Sequence, residues 1–427
     1  MGPSPALTTT VVFRNGESGY PFFRIPALLR INSTLILAFA EGRRQRTDHG
    51  SVDLVLKRST NDGASWSKEV SLVASSSSRH TNRATFGNPA PLYDPVAGVA
   101  VLFFCVDNKE IQQTRSVDGG VSWSIPTAIS WSRPESWAWV ATGPPAALRT
   151  VGGRWVLPCD GLVGSAQVWK ATSLFSFTLL SDDHGMTWRQ SNLLDGGNEC
   201  QAAELRNGSL VLNMRSIRAR RLHATSHDAG ETWSAPLAAS PPVPDANCQG
   251  SMISIDAPAT AEEEEEVNVD GRASDDGTRS GGRGSDEAAA PSTLLVATSA
   301  GMGRRGLTAR TSHDGGARWS TLAVLEEGDA AYSALADLGG GWVGCLYETK
   351  RPRGATTNGA AGAGGAAAAR NGAGLKAMMD DVIAYVRFDA AARAPWQADP
   401  PRAANRAATP RMGGARVGGW QSAKDEM

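Results

Sequence analysis

The 427-residue sequence has few cysteines and no long apolar run. Its five cysteines are odd in number and scattered, with no CxxC pair, so neither a disulfide framework nor a metal site is expected. No segment approaches the roughly 18 consecutive apolar residues that a transmembrane helix needs. The opening MGPSPALTTT lacks the charged and apolar regions of a secretory signal. We therefore expect a cytoplasmic protein without a transmembrane segment; the alternatives are a peripheral membrane, lysosomal or secreted protein.

An excess of charge of one sign is also missing. The chain has 42 Lys and Arg residues against 43 Asp and Glu residues, and its formal net charge is -1. Such a balance argues against nucleic acid as a partner and against a polybasic membrane-binding surface. The nearest approach to a basic cluster is the segment from Arg43 to Arg46, which is bracketed by Glu41 and Asp48.

One short pattern, SxDxGxxW with small variations, recurs five times. The five copies are Ser59–Trp66, Ser116–Trp123, Ser181–Trp188, Ser226–Trp233 and Ser312–Trp319. An Asp or Asn side chain accepts hydrogen bonds from nearby backbone groups, Gly adopts the positive φ that closes a turn, and Trp packs back over it. We interpret the copies as folded turns, one per supersecondary unit, rather than as catalytic or metal-binding aspartates.

Short apolar runs such as AVLFFCV and SLVLNMRS fill the intervals between the turns, whereas helical periodicity is scarce. Repeating four-strand units with one signature turn each predict an all-β fold of the β-propeller type. Five signature turns set a lower limit on the number of blades, because a closing blade often lacks the motif.

Two internal segments and the tail differ in composition from the rest. Residues 257–291 contain the run from Glu262 to Glu266 among many Gly, Ser and Asp residues, and residues 354–374 are nearly all Gly and Ala. Neither has enough large apolar residues to offset the entropy lost on ordering. We predict two disordered insertions within a propeller that occupies residues 11–399, followed by a disordered tail at 400–427.

The stretch from Phe22 to Asp48 combines an arginine, two apolar runs and a cluster of charges. The apolar runs flank a polar turn at Asn32 and Ser33, which predicts a β-hairpin. Charged residues gather at the end of the second run. This stretch is therefore a candidate part of a site.

The FRIP segment Phe23-Arg24-Ile25-Pro26, followed by the repeated turns, resembles the exo-α-sialidase (neuraminidase) family, closest to the animal cytosolic type and its bacterial relatives. The resemblance covers about Val11 to Phe388, apart from the insertions. It implies a six-bladed β-propeller with five Asp-box turns and a site at the centre of one face. It also implies hydrolysis of terminal α-linked sialic acids from glycoproteins, oligosaccharides or gangliosides, without a metal or an organic cofactor.

A sialic acid carries a carboxylate on its anomeric carbon, and planar guanidinium groups donate paired, charge-assisted hydrogen bonds to a carboxylate. The resemblance assigns this task to three arginines. Arg24 and Arg215 match the first two positions. Arg304 matches the third by its distance from Leu307, and its neighbour Arg305 remains an alternative.

The resemblance implies a tyrosine nucleophile, which avoids the repulsion that a carboxylate nucleophile would meet from the anionic substrate. Tyr332 matches this position in a chain that has only five tyrosines. Glu199 matches the general base that activates the phenol, with Glu204 as the competing candidate. Asp48 matches the acid/base residue, which would protonate the leaving oxygen and then activate water.

Further positions match supporting residues. Glu348 resembles the carboxylate that orients Arg24, Arg43 rather than Arg44 resembles an arginine near the sugar, and Asn88 resembles a pocket residue. The chain departs from its relatives elsewhere. The departures are Asp160 and Leu162 where the animal enzymes have tyrosines, and Ala246 where they have a glutamine. These positions bear on the arms of the sugar, so the exact sialic acid stays open.

Three alternative functions are compatible with the sequence. A related enzyme could act on a deaminated sialic acid or transfer the sugar instead of hydrolysing it. A non-enzymatic propeller could bind glycans or protein partners, although it would not need Tyr332, Glu199 and Asp48. A glycosidase of unrelated specificity could share the turns alone, but it would have no use for three convergent arginines.

Overall fold

The computed structural model describes residues 7–75, 84–164, 174–255, 292–301, 303–350 and 381–390. Within these ranges the regular structure is β-strand apart from one turn of 3-10 helix at Glu17–Gly19. None of the described residues form a helix long and apolar enough to cross a membrane. The predicted insertions at 257–291 and 354–374 and the predicted tail at 400–427 lie outside the described residues. The predicted all-β class is confirmed.

Twenty-five strands are present in the described ranges. In chain order they are β1 (Thr9–Arg14), β2 (Phe22–Arg30), β3 (Ile36–Arg43), β4 (Val52–Ser59), β5 (Ser71–Ala74), β6 (Phe86–Asp94), β7 (Val99–Val106), β8 (Glu110–Ser116), β9 (Thr127–Ala128), β10 (Trp137–Thr142), β11 (Leu148–Arg149), β12 (Trp155–Val163), β13 (Leu174–Ser181), β14 (Arg189–Gln190), β15 (Leu194–Asp195), β16 (Cys200–Glu204), β17 (Leu210–Met214), β18 (Leu222–Ser226), β19 (Leu237–Ala238), β20 (Ser251–Ile255), β21 (Thr293–Gly301), β22 (Arg305–Ser312), β23 (Ser320–Gly339), β24 (Trp342–Lys350) and β25 (Asp381–Asp389).

The strands form five antiparallel sheets in the described part of the chain. Sheet I has the order β2-β3-β4-β5, sheet II β6-β7-β8-β9 and sheet IV β16-β17-β18-β19. Sheet III has the order β10-β12-β13-β14, with β11 beside β12 and β15 beside β13. Sheet V has seven strands in the order β1-β25-β24-β23-β22-β21-β20. Repeated four-strand meanders of this kind are propeller-like blades, as the sequence predicts.

Five sheets are found in the described ranges, and the resemblance predicts six blades; the long strand β23 of sheet V pairs differently along its two halves. The 20-residue β23 pairs with β22 from Ser320 to Asp329 and with β24 from Ala330 to Gly339. The hydrogen-bonded ladder therefore runs without a break from β20 to β25. At the far edge of the same sheet, β25 pairs with β1, so the two ends of the described chain meet in one sheet.

The core lies between the sheets. One apolar cluster packs Phe39 of sheet I against Phe104 of sheet II, and another packs Phe103 of sheet II against Trp155 of sheet III. A further cluster joins Ile383 of sheet V to sheet I. Strands such as β7 are buried along their whole length because both faces meet a neighbouring sheet, which explains their continuous apolar sequences.

The five repeated segments are turns with the same hydrogen bonds. The Ser hydroxyl donates to the Asp or Asn Oδ1 two residues later, and the distances lie between 2.7 and 2.9 Å in all five. The Gly N–H donates back to the Ser Oγ at 2.8–2.9 Å. The residue four positions after the Asp or Asn donates its N–H to the same Oδ1 at 2.9 Å.

The tryptophan that ends each turn packs on the preceding sheet. Trp66 lies edge-on against Tyr385 of sheet V, and Trp123 against Phe39 of sheet I. Trp188 packs in the same way on Phe103 of sheet II. Trp233 donates its indole N–H to Thr178 Oγ1 of sheet III at 3.0 Å. The turns therefore tie consecutive sheets together.

Candidate active site

The predicted hairpin is present, and its register brings Arg24 opposite Glu41. The turn forms because Asn32 Oδ1 accepts the backbone N–H groups of Thr34 and Leu35, each at 2.9 Å. The register shifts between Arg24 and Ala27, where Ile25 has a φ of 53°. A positive φ is costly for a β-branched residue, and such strain is found where a site over-determines the backbone.

Glu348 holds this strained segment. Its Oε1 accepts the Ile25 N–H at 2.8 Å, and its two carboxylate oxygens accept Arg24 Nε and Nη2 at 3.2 Å each. This bidentate pair fixes the plane of the Arg24 guanidinium. Arg24 Nη1 remains directed at Asp48 Oδ1, 3.4 Å away. Glu348 and Arg24 are therefore brought together, with Asp48 beside them.

Tyr332 and Glu199 form a buried hydrogen bond. The Tyr332 hydroxyl donates to Glu199 Oε1 at 2.6 Å. The other carboxylate oxygen of Glu199 accepts Arg215 Nη1, also at 2.6 Å, and the same nitrogen lies 3.4 Å from the Tyr332 oxygen. Glu204, the competing candidate, instead accepts the backbone N–H of Val151 at 2.7 Å. It is therefore directed away from the phenol.

Arg304 and Arg305 point in different directions. The Arg304 guanidinium lies 5.7 Å from the centre of the Tyr332 ring, and the Arg24 guanidinium lies 5.2 Å from it. Arg304 itself has a φ of 58° and donates to the carbonyl of Asn247 at 3.3 Å. Arg305 is exposed and pairs with Asp329 at 3.1 Å. Three arginines, including Arg304 but not Arg305, thus surround one phenol.

Arg43 contacts the same carboxylate oxygen of Asp48 as Arg24 does. Its Nη1 donates to Asp48 Oδ1 at 2.8 Å, while its Nε and Nη2 both donate to buried Glu41 Oε2. The other oxygen of Glu41 accepts the backbone N–H of Asn88 at 2.8 Å. Arg44 instead turns outward, stacks on Tyr20 and donates to the carbonyl of residue 19. Arg43, Asn88 and Asp48 therefore share one region.

Arg43, Asp48, Asn88, Glu199 and Tyr332 line an open cleft of about 320 Å³. Its polar and charged lining can orient a small, highly functionalised ligand. Arg43 on the lining and the three arginines around Tyr332 favour an anionic one. No three His, Cys, Asp or Glu side chains in the described ranges are arranged to hold a metal ion.

Burial and charge shift the pKa values in the cleft in opposing directions. Burial raises the pKa of the Tyr332 phenol well above its ordinary value, and Glu199 adds to the increase. The neighbouring arginines oppose this rise. Burial alone would lower the pKa of Arg215, but Glu199 and Tyr332 raise it, so its guanidinium stays charged. The cleft therefore combines a protonated phenol, an adjacent carboxylate and fixed positive charge.

Sequence reasoning missed several residues that shape the site. Asn247 accepts Arg215 Nε on its side chain at 3.1 Å and Arg304 on its carbonyl, so it orients two of the arginines. Its position next to Cys248 gives no local signal for this task. Asn198, beside Glu199, donates to buried Asp160 at 2.7 Å. Trp139 also lines the cleft.

Comparisons with known proteins identify a family model and several relatives of the chain. Residues 34–345 match a family model described as a BNR repeat-like domain. Sialidase-2 of Rattus norvegicus is 30% identical over 291 residues, which cover 61% of this chain and 75% of that protein. A sialidase of Micromonospora viridifaciens is 27% identical over 377 residues, covering 81% of this chain and 53% of that protein.

Solved structures share the fold at lower identity. The Hadza microbial sialidase Hz136 aligns with a TM-score of 0.68 at 22% identity, covering 89% of this chain and 68% of that one. The intramolecular trans-sialidase from Ruminococcus gnavus aligns with a TM-score of 0.61 at 15% identity, covering 79% of this chain and 92% of that one. At these identities the likeness concerns the fold alone.

Proposed function

The chain belongs to the sialidase family, and on that premise we propose that it is a retaining exo-α-sialidase. It hydrolyses terminal α-linked sialic acids from glycoproteins, oligosaccharides or gangliosides through a tyrosine nucleophile. The observation that carries this proposal is the 2.6 Å hydrogen bond from the Tyr332 hydroxyl to Glu199. A phenol paired with a carboxylate inside a group of arginines suits attack on an anionic sugar better than binding alone.

The three arginines bind the substrate carboxylate. Arg24, Arg215 and Arg304 approach the Tyr332 ring or hydroxyl from different sides. Their guanidinium groups supply the paired donors that a carboxylate accepts. Because the anomeric carbon is bonded to that carboxylate, holding the carboxylate brings the reacting carbon to the Tyr332 oxygen.

In the first step the Tyr332 oxygen attacks the anomeric carbon while its proton passes to Glu199. The bond from the anomeric carbon to the leaving oxygen breaks, and Asp48 donates a proton to that oxygen. The high pKa of the buried phenol keeps Tyr332 neutral until Glu199 accepts the proton. The product of this step is a sialyl–tyrosine intermediate with an inverted anomeric centre.

In the second step Asp48, now ionised, removes a proton from water. The water oxygen attacks the anomeric carbon, the bond to Tyr332 breaks, and Glu199 returns the proton to the phenol. Two inversions give net retention. Arg43 and Arg24 both donate to Asp48 Oδ1, so the two guanidinium groups fix the position of that carboxylate through both steps.

We also propose that the fold comprises six blades with five Asp-box turns. The long strand β23 is then shared by two consecutive blades within sheet V. An apolar cluster supports this division, because it packs Leu295 and Ala309 on one half of the sheet against Tyr347 and Val386 on the other half. Facing apolar surfaces of this kind occur between blades.

The direct test is release of 4-methylumbelliferone from its α-linked N-acetylneuraminic acid glycoside, run beside the deaminated analogue. Hydrolysis of either supports the proposal, and the ratio identifies the preferred sugar. Proton NMR of the first product should detect the α-anomer before mutarotation; initial β-anomer would refute retention. Added lactose should leave the yield of free sugar unchanged, whereas sialyllactose formation would indicate a transferase. Binding of either glycoside without turnover would make the chain a glycan-binding protein.

A further inference from the structure

Asp48 lies in a loop, residues 44–51, that connects β3 to β4 without regular secondary structure. The base of the loop is closed by a 3.4 Å bond from the Arg44 N–H to the Ser51 carbonyl. Near its end, residue 50 and the Thr85 hydroxyl exchange two hydrogen bonds of 3.0 Å. These contacts join the loop to its own sheet and to the segment before sheet II. They do not join it to sheet V, which carries Glu348.

The side chain of Arg46 in this loop reaches sheet V. Arg46 Nη2 lies 3.3 Å from Asp381 Oδ2 at the first residue of β25. Asp381 pairs with Lys350 across the sheet, two residues from Glu348 on β24. Arg46, Asp381, Arg24 and Glu348 line one small cavity of about 30 Å³. Arg46 and Asp381 line this cavity and are not among the residues that line the larger cleft.

We propose that the Arg46–Asp381 ion pair positions Asp48 for proton transfer. The loop must hold the Asp48 carboxylate against Arg24, and Arg24 is fixed to sheet V by Glu348. Arg46 ties the loop to the same sheet, so Asp48 and Arg24 are both held in position relative to sheet V. This inference rests on the proposed function, in which Asp48 protonates the leaving oxygen. Arg46 and Asp381 are positioning residues and do not touch the substrate.

A misplaced acid has a distinctive kinetic signature. A sugar alcohol is a poor leaving group and needs protonation as its bond breaks, whereas 4-methylumbelliferone leaves as a stable anion and needs little help. Loosening the loop should therefore slow hydrolysis of α2,3-sialyllactose more than hydrolysis of the umbelliferyl glycoside. The KM values should change little, because the three arginines of the cleft remain in place.

The test compares Arg46→Met with a matched control. Arg387 lies on the same strand as Asp381 and pairs with Asp62 at 2.7 Å, far along β25 from the cleft. Its ion pair is similarly exposed, 39% and 23% against 30% and 23% for Arg46 and Asp381. We expect Arg46→Met to lower kcat/KM for sialyllactose about tenfold and that for the umbelliferyl glycoside less than about threefold. Arg387→Met should leave the ratio of the two substrates unchanged.

Two further variants guard against a simple loss of folding. Asp381→Asn should change the substrate ratio in the same direction, with its melting temperature measured alongside. Exchange of the two charges, Arg46→Asp with Asp381→Arg, should bring the ratio of the two kcat/KM values part of the way back to that of the wild type. Equal slowing of both substrates by Arg46→Met and Asp381→Asn, or an equal change of ratio in Arg387→Met, would overturn the inference. A wild-type chain that hydrolyses neither substrate would instead refute the proposed function itself.

Discussion

Asp118 in the second turn and Glu199 in the cleft both accept short hydrogen bonds, but from different donors. Asp118 Oδ1 accepts the Ser116 hydroxyl at 2.8 Å and the Ser122 N–H at 2.9 Å, both within four residues. Glu199 accepts the Tyr332 hydroxyl from 133 residues away and the Arg215 guanidinium. The carboxylate in the turn accepts hydrogen bonds from neutral groups close in sequence. The carboxylate in the cleft accepts them from distant groups, one of which is a charged guanidinium.

This difference separates a structural use of carboxylates from a chemical one. In the second turn, local hydrogen bonds, led by those from the Ser122 hydroxyl and N–H, lower the pKa of Asp118, so this carboxylate stays ionised near neutral pH. In the cleft, burial raises the pKa of Tyr332 next to a carboxylate that can accept its proton. A carboxylate therefore closes a turn in one region, and in the other it lies where the proposed mechanism needs a proton acceptor.

The largest effect is expected from removing the hydroxyl of Tyr332. Tyr332→Phe keeps the buried ring but leaves no nucleophile, so kcat should fall by about 10³-fold or more. Initial rates on the umbelliferyl glycoside measure this, and a melting temperature close to that of the wild type is the control. A rate within tenfold of the wild type would remove Tyr332 from the mechanism.

The next effect separates the two neighbouring arginines. Arg304→Met removes a guanidinium beside Tyr332, and we expect kcat/KM to fall about 100-fold as a charge-assisted carboxylate contact is lost. Arg305→Met is the matched control, because Arg305 is exposed and pairs with Asp329. Its kcat/KM should stay within about twofold, since surface ion pairs contribute little. A larger loss of kcat/KM in Arg305→Met than in Arg304→Met would make Arg305 the third carboxylate-binding arginine in place of Arg304.

A smaller effect is expected in the turns, and on stability alone. Asp118→Ala removes the acceptor that closes the second turn, so the melting temperature should fall by a few degrees while kcat stays unchanged. Asp118→Asn should be tolerated much better, because Asn61 closes the first turn with the same 2.9 Å bonds. Differential scanning calorimetry with parallel rate measurements tests both. Loss of activity without loss of stability would contradict the structural role.

The smallest effect concerns how folding stability decreases at acidic pH. Burial alone would raise the pKa of Asp94, but hydrogen bonds, led by that of His184 in the third turn, lower it. Asp94 also accepts Trp155 Nε1 at 3.0 Å and lies 3.1 Å from Arg149 Nε. A folded-state pKa below the unfolded one adds stability above the unfolded pKa, and this stability is lost as pH falls through the folded pKa.

Asp94→Asn should therefore lower the melting temperature at pH 7 and flatten its decline below the ordinary aspartate value of 3.8. Melting curves from pH 7 to strongly acidic pH measure the slope. Glu204→Gln is a suitable comparison, because burial raises the pKa of Glu204 and its titration acts in the opposite direction. If the melting temperature of Asp94→Asn falls with pH as steeply as that of the wild type, the loss of stability in acid comes from other carboxylates.

The turns were predictable from the sequence because each is complete within a few residues. The Ser, Asp, Gly and Trp of one turn carry its donors, its acceptor, its positive φ and its anchor. The same holds for the Asn32 turn of the first hairpin. The all-β class followed from the apolar runs between these turns. What the turns could not indicate was the partner of each tryptophan, which lies on the preceding sheet.

The cleft was accessible only through a family resemblance. Nothing in the spacing of Arg24 and Glu348, which are 324 residues apart, indicates that they form a bidentate pair. Asn247 and the Arg46–Asp381 ion pair could not be identified from the sequence. Their partners are distant in the chain, so no local pattern marks these residues. The shared strand β23 was unpredictable for a similar reason, since a change of pairing partner within one strand leaves no local pattern.

The pairing of β1 with β25 also constrains how the molecule is made. A nascent chain that lacks Asp381–Asp389 offers no partner to Thr9–Arg14, although the strands between them could already be paired. Arg24 likewise cannot pair with Glu348 until β24 has been synthesised, although all four strands of sheet I precede it in the chain. Closure therefore comes last and joins the most distant segments, which makes folding slow and exposes an open sheet edge in the meantime. Glu348 on β24 precedes β25 in the chain, so Arg24 can meet its partner before the pairing of β25 with β1 seals the sheet edge.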